Sequence, residues 1–201
     1  GQPCQLMGTG MAFPWELIKN ADLANGNIVE DMKLGVDCVK ENKGAVFISN
    51  IEVTSYFPTD EKAQETQRTR WEHGHLDTIK SYVPSLLKQS FIKRNLKCAL
   101  FALDLAIPPL SLLVLLIGAS LLLITVISSY STYWLPVEIL LLTSLLFILV
   151  LFIAWFKCGR SIISFKELVS IPKYIISKLS VYAGFVKNKQ TDWVRTDRDS
   201  K

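Results

Sequence analysis

Two stretches without charge constrain this chain more than any other feature. No charged residue occurs from Leu105 to Val137, and Pro108 to Ile127 offers a mostly apolar run of 20 residues. Ile139 to Phe156 offers a second, of 18. One bilayer crossing needs about 20 such residues. A buried helical hairpin in a soluble core seldom holds two runs of this length, so the spacing predicts two transmembrane helices. The connector Ser128–Pro136 carries Tyr130, Tyr133 and Trp134 and no Lys or Arg. Lys93, Arg94 and Lys97 stand before the first run, and Lys157 and Arg160 after the second. Basic flanks face the cytoplasm. The expectation is a multi-pass protein of the plasma (inner) membrane, with both flanking parts cytoplasmic. Asp104, at the cytoplasmic end of the first run, reads equally as a functional acid or a helix-start residue. Pro108-Pro109 reads as a kink in that run or as its true start.

Charge is uneven around these runs. Residues 1–97 hold 12 basic and 12 acidic side chains, and residues 157–201 hold 10 and 4. A basic tail beside a membrane segment faces anionic lipid headgroups. No motif interleaves basic and aromatic residues, so no nucleic-acid partner is expected. Cys4, Cys38, Cys98 and Cys158 are far apart and form no C-x-x-C. They read as reduced, mostly buried thiols on the cytosolic side.

The chain ahead of the spans reads as α/β. Pro14 suits the first position of a helix reaching about Ala24. Asn25-Gly26-Asn27 is a turn, and a second helix starts near Val29 with Met32, Val36 and Val39 at helical spacing. Ala45–Ser49 and Glu52–Phe57 read as strands. Thr59 is the expected N-cap of a helix through Trp71. Residues 76–97 read as an amphipathic helix broken at Pro84, lying on the bilayer surface. Its apolar stripe is Ile79, Val83, Leu86, Leu87, Phe91 and Ile92. Residues 168–186 repeat that pattern with Ile171, Ile175, Leu179, Tyr182 and Val186 on one face.

Three groups could carry chemistry. Glu30-Asp31 begins the second helix, where adjacent side chains diverge by about 100°. One carboxylate therefore faces a given site, and the helix dipole favours its ionised form. Such an acid can take a proton from a hydroxyl nucleophile; it can equally just stabilise the helix start. Gln67, Arg70 and Trp71 share one helical face. They suit a ligand with both a phosphate and a sugar; a surface helix with a core tryptophan is the plainer reading. Gly8-Thr9-Gly10 is too short for a Rossmann or P-loop signature and reads as a turn allowing close backbone approach to a sugar acceptor. His73 and His75 lack a third ligand at metal spacing and read as hydrogen-bonding groups near Trp71.

In this order, Gly8-Thr9-Gly10-Met11-Ala12-Phe13, Val29-Glu30-Asp31 and Gln67-x-x-Arg70-Trp71 ahead of membrane helices resemble the C-terminal portion of a family 2 glycosyltransferase. The membrane-integrated, processive type is the nearer likeness: cellulose, chitin, hyaluronan and poly-N-acetylglucosamine synthases. The resemblance implies the acceptor-side, C-terminal half of a GT-A catalytic domain over residues 1–75. An interfacial helix (76–97), a transmembrane hairpin (98–156) and a cytoplasmic amphipathic helix with basic tail (157–201) would follow. It implies that Asp31 is the general base of a T-E-D motif, with Val29 in place of the usual Thr. Gln67, Arg70 and Trp71, with Glu30 and Gly8-Thr9-Gly10 beside them, would bind diphosphate and acceptor sugar. The tail Trp193-x-x-Thr196-x-Arg198 is similar to the family's gating loop.

The implied reaction is inverting transfer of a sugar from a nucleotide-sugar donor to a growing glycan. The alternatives are a non-processive enzyme acting on a lipid-linked acceptor, or an inactive membrane scaffold or regulator. The family's D-x-D, which holds a divalent cation (Mg or Mn) and the donor, has no counterpart in this chain, so no metal ligand is expected here. The opening Gln2–Met7 reads like the interior of a domain. The expectation is therefore a C-terminal part of a longer protein, inactive alone.

Overall fold

The computed structural model describes residues 1–23, 26–55 and 58–187. The chain divides into two compact units, Gly1–Pro109 with the chain from Gly184 onward, and Leu110–Ala183.

In the first unit, helix α1 spans Trp15–Ile18 and α2 spans Glu30–Lys40. Helix α3 is long, Glu61–Lys93, and α4 spans Leu96–Leu105. Among the described residues no β-strand occurs. The expected α/β half-domain of GT-A type is therefore corrected: this unit is built from helices and irregular loops. The alternating residues do have strand character, but strand character is realised only by pairing. Here a backbone bond, Cys4 N–H to the Ala45 carbonyl at 2.9 Å, joins the N-terminal segment to the start of the first expected strand without forming a ladder. Val46, Phe47, Ile48, Ile51 and Val53 stand exposed. Helix α1 is a single turn, not a helix to Ala24.

Helix α2 meets its expectation: Val36 and Val39 are buried and Met32 packs beside them. The N-cap of α3 is Asp60, whose carboxylate accepts from Ala63 N–H at 2.7 Å. The helix then runs unbroken through Pro84 to Lys93, so the predicted break is absent. Pro84 is exposed, so water can satisfy the carbonyl its ring leaves free.

The apolar stripe of α3 has two fates. Val83 and Leu86 are buried with Ile79 and Leu87 packed beside them, facing α2 and α4. Phe91 and Ile92 stand open at 81% and 71%. The first half of the stripe thus makes a protein core, and only its last turn is available to a bilayer surface. Arg94 takes the left-handed conformation at φ 49° and turns the chain back. Asn95 caps α4 by accepting from Cys98 N–H at 3.2 Å. Cys98, Phe101, Ala102 and Leu105 then pack onto α3 and α2. A smaller cluster of Leu6, Leu34 and Cys38 seats the N-terminal segment on α2.

The second unit holds α5, Leu110–Ser131, and α6, Leu135–Ala154. Both are long and apolar enough to cross a membrane, at 22 and, with the turn that follows α6, 25 residues. Pro108-Pro109 immediately precedes α5 and so marks its start. The connector is shorter than expected, residues 132–134, with Thr132 at φ 58°. A π-helical turn, Trp155–Gly159, ends α6. The Trp155 indole donates to the Ile163 carbonyl at 2.9 Å.

Helix α7, Phe165–Ser177, opens with a capping box between Ser164 and Glu167. The Ser164 hydroxyl and amide hold the Glu167 carboxyl below its ordinary range. Helix α8 is Leu179–Lys187. The continuous stripe expected over 168–186 is interrupted at Lys178, and its members part: Tyr182 is buried, with its hydroxyl bonded to Ser111, whereas Val186 is exposed. All four cysteines are free; Cys38 and Cys98 are buried, Cys4 is half-buried and Cys158 exposed.

Candidate functional site

The site is built where the start of α2 meets the first half of α3. Val29 is the N-cap residue of α2 and offers no side-chain cap. Instead Ile28 and Val29 are buried, and both pack against Gly74 of α3. The Val29 amide donates to Asn27 Oδ1 at 3.2 Å, which fixes the entry to the helix.

Glu30 and Asp31 follow, and they diverge as helix geometry requires. Glu30 is exposed and Asp31 half-buried. Asp31 Oδ1 accepts from the Met32 amide at 2.8 Å. Its Oδ2 lies 3.2 Å from where a Cβ on Gly8 would sit. Gly8 is at φ 80°, so a side chain there would be both strained and against the carboxylate. Gly10, at φ 66°, has Val53 as its neighbour. The Gly8-Thr9-Gly10 turn therefore does bring backbone close to something, and that something is Asp31.

Burial pushes the Asp31 carboxyl above its ordinary range, the Met32 amide opposes the rise, Glu30 adds to it and Arg70 opposes it. Desolvation thus works against the helix-end amide at this carboxyl. The Gly8 turn thus stands directly against the Asp31 carboxylate, and the Arg70 charge on α3 pulls on that carboxyl in the opposite sense to burial.

Gln67 and Arg70 are half-buried and Trp71 is 42% exposed. Gln67 Oε1 is buried without a hydrogen-bond partner. The buried carbonyl, the guanidinium and the open indole share one face of a single turn of α3. A group of this composition can hold an anion, stack a ring and accept a proton.

The two histidines part company. His73 is buried, its ring edge-on to Phe185 of α8 at 5.3 Å. His75 Nε2 lies 3.4 Å from the Leu105 carbonyl at the end of α4. Burial pushes the His75 ring below its ordinary range, against the pull of that carbonyl and of Asp104. Asp104 is exposed and accepts from Gln5 Nε2 at 2.9 Å. Among the described residues, no group of three or more His, Cys, Asp or Glu could hold a metal ion. Trp193, Thr196 and Arg198 lie outside the described residues.

Sequence reasoning missed Gly74. A Cβ there would fall 2.5 Å from Val29 Cγ1 and 3.2 Å from Ile28 Cγ1, so the contact between α3 and α2 depends on its absence. The available signal was a glycine inside a strong helical pattern, which marks a close approach.

The model of Glycosyl transferase family group 2 matches residues 1–157. No curated protein matches the chain, and no solved structure does.

Proposed function

The chain belongs to glycosyl transferase family group 2, and on that premise we propose that it forms the acceptor-side and membrane-entry part of a membrane-integrated transferase. Membership carries glycosyl transfer, with a nucleotide-sugar donor and an acceptor in general. In the proposed reaction Asp31 takes the proton of the acceptor hydroxyl. That oxygen attacks the donor sugar carbon in one inverting displacement. Gln67 and Arg70 bear the leaving diphosphate, and Trp71 stacks on the acceptor sugar. The observation that carries the reading is the Gly8 turn set directly against the Asp31 carboxylate within a chain that matches the family over residues 1–157. A base works best when its pKa approaches the working pH, and burial moves Asp31 in that direction.

The rest of the proposal follows the chain. Helices α5 and α6 cross the plasma (inner) membrane with the transferase part and the C-terminus cytoplasmic, supported by their length and by the basic flanks. The exposed Phe91 and Ile92, beside exposed Lys93, Arg94 and Lys97, would rest on the headgroups. Domain limits follow the family pattern, with the acceptor side in residues 1–75. Trp193, Thr196 and Arg198 would close over the nucleotide. A divalent cation belongs to this proposal only through ligands outside the chain, and no step here is assigned to it.

The growing glycan is one acceptor reading. Transfer to a lipid-linked acceptor is the other. Membranes holding the full-length protein, given a panel of labelled nucleotide sugars, test both. Asp31→Asn is expected to remove product by about 10²–10⁴-fold, the usual contribution of a general base. Undiminished transfer by that variant would sink the assignment of Asp31. Product length then separates polymer from single transfer.

A further inference from the structure

We propose that Gly74 is a positioning residue that sets the spacing between Asp31 and Arg70. This rests on the transferase reading for its meaning, while its geometry stands alone. Gly74 lies one turn after Arg70 on α3, and Val29 lies two residues before Asp31 at the start of α2. The two meet at the notch that a missing Cβ leaves. An added Cβ would approach Val29 Cγ1 to 2.5 Å and Cγ2 to 2.9 Å, and Ile28 Cγ1 to 3.2 Å. Real carbon atoms do not approach so closely, and none of these atoms is the free end of a long side chain. Both walls are buried, Val29 at 5% and Ile28 at 7% exposure, so neither can swing into solvent.

The only relief is to part α3 from the start of α2. Leu86 and Val83 anchor the later part of α3 in the core with Val36 and Val39 of α2. A wedge at Gly74 therefore opens the end of α3 that bears Gln67, Arg70 and Trp71. Thr78 Oγ1 bonds the Gly74 carbonyl at 2.9 Å and is itself buried, which seats this turn of α3.

The charged groups acting on Asp31 are Glu30 on its own helix and Arg70 on α3. The Arg70 contribution is the one that crosses the notch, so it reports the spacing. The Asp31 midpoint can be followed by carbon NMR of aspartate-labelled full-length protein in lipid nanodiscs, with no substrate added. Asp31→Asn identifies the signal. Arg70→Gln is expected to raise the midpoint when Gly74 is present, because a favourable charge is lost. In the Gly74→Ala background the same change should move it less than about a third as far, because Coulomb coupling falls as the pair separates. Burial changes are common to both members of each comparison and cancel.

Trimming the opposite wall, in Val29→Ala with Gly74→Ala, should restore the coupling. Val29→Ile wedges the gap from the other side and should weaken it with Gly74 intact, which keeps the test open if the alanine variant does not fold. Sugar transfer should fall with Gly74→Ala by about 10²-fold in kcat, the cost of a misplacement near 1 Å. KM for the donor should rise as well, because Gln67 and Arg70 move with that end of α3, and the paired Val29→Ala should recover both. Full coupling in folded Gly74→Ala or Val29→Ile protein overturns the proposal. Loss of coupling with unchanged transfer, or transfer that survives Asp31→Asn, would instead overturn the transferase roles and leave the spacing role standing.

Discussion

Leu86, Phe101 and Leu105 in the first unit are fully buried, while Leu122, Leu142 and Leu145 in the second stand open to whatever surrounds them. All are unremarkable helical positions with apolar side chains. The first set sits on helices that also carry Gln89, Lys93 and Asp104, so one stripe must turn inward and the rest faces water. The second set sits on helices that are apolar all round, and in α5 and α6 only Ser128 and Val137 are buried. A helix apolar on every side has no polar face to give to water, so its surroundings must be apolar. The buried set reports protein packing. The open set reports the solvent.

The widest separation between the two regions should come from truncation. Phe101→Ala is expected to lose about 3–5 kcal/mol of unfolding free energy by leaving a cavity. Leu142→Ala should stay within about 0.5 kcal/mol, as open positions do. Chemical denaturation in nanodiscs measures both, and equal costs would mean that the hairpin is packed against protein. Next comes the reverse insult. Leu145→Arg at the middle of α6 should cost about 2.5–3.5 kcal/mol of insertion free energy, read by glycosylation mapping of inserted against uninserted chains. Normal insertion would remove the membrane reading of α6.

A smaller effect sharpens the packed side. Asn95→Ala should cost about 1 kcal/mol, because α4 loses the cap that accepts from Cys98 N–H. No change in the melting midpoint would show that the α3–α4 turn holds without it. The smallest effect concerns Asp31. Its folded pKa is raised, so the folded state binds this proton more tightly than the unfolded state. That stability is fully present below the ordinary aspartate range and is lost as pH rises through the folded value. Asp31→Asn should therefore melt at a higher temperature than the wild type at neutral pH, and at the same temperature in strong acid. A neutral-pH melt that falls instead would contradict the burial of this carboxylate.

Much of this was legible in the chain because it depended on local pattern. The two long apolar helices followed from charge-free length, and Met32, Val36, Val39, Ile79, Val83 and Leu86 from helical spacing. That Gly8 stands against Asp31 could be anticipated only through motif order, since residues 8 and 31 meet by tertiary packing. The strands were misjudged because β-branched residues at 45–57 announce a capacity to pair, whereas pairing itself needs a neighbour. Helix α4 was divided between the interfacial helix expected over 76–97 and the hairpin expected over 98–156, because Leu96–Leu105 is apolar enough for either fate. The left-handed Arg94 that folds it back on α3 is not a residue type that signals a turn. Gly74 was missed because its function is an absence of atoms.

The π-helical turn at Trp155–Gly159 has a consequence for the direction in which the chain leaves α6. It is wider than an α-turn and closes the end of the helix. Deleting one residue of Phe156–Gly159 should tighten that end and shift the chain that follows it. The Trp155 indole would then no longer find the Ile163 carbonyl. Length variation at this point is thus a dial on the direction in which the chain leaves α6, adjustable one residue at a time.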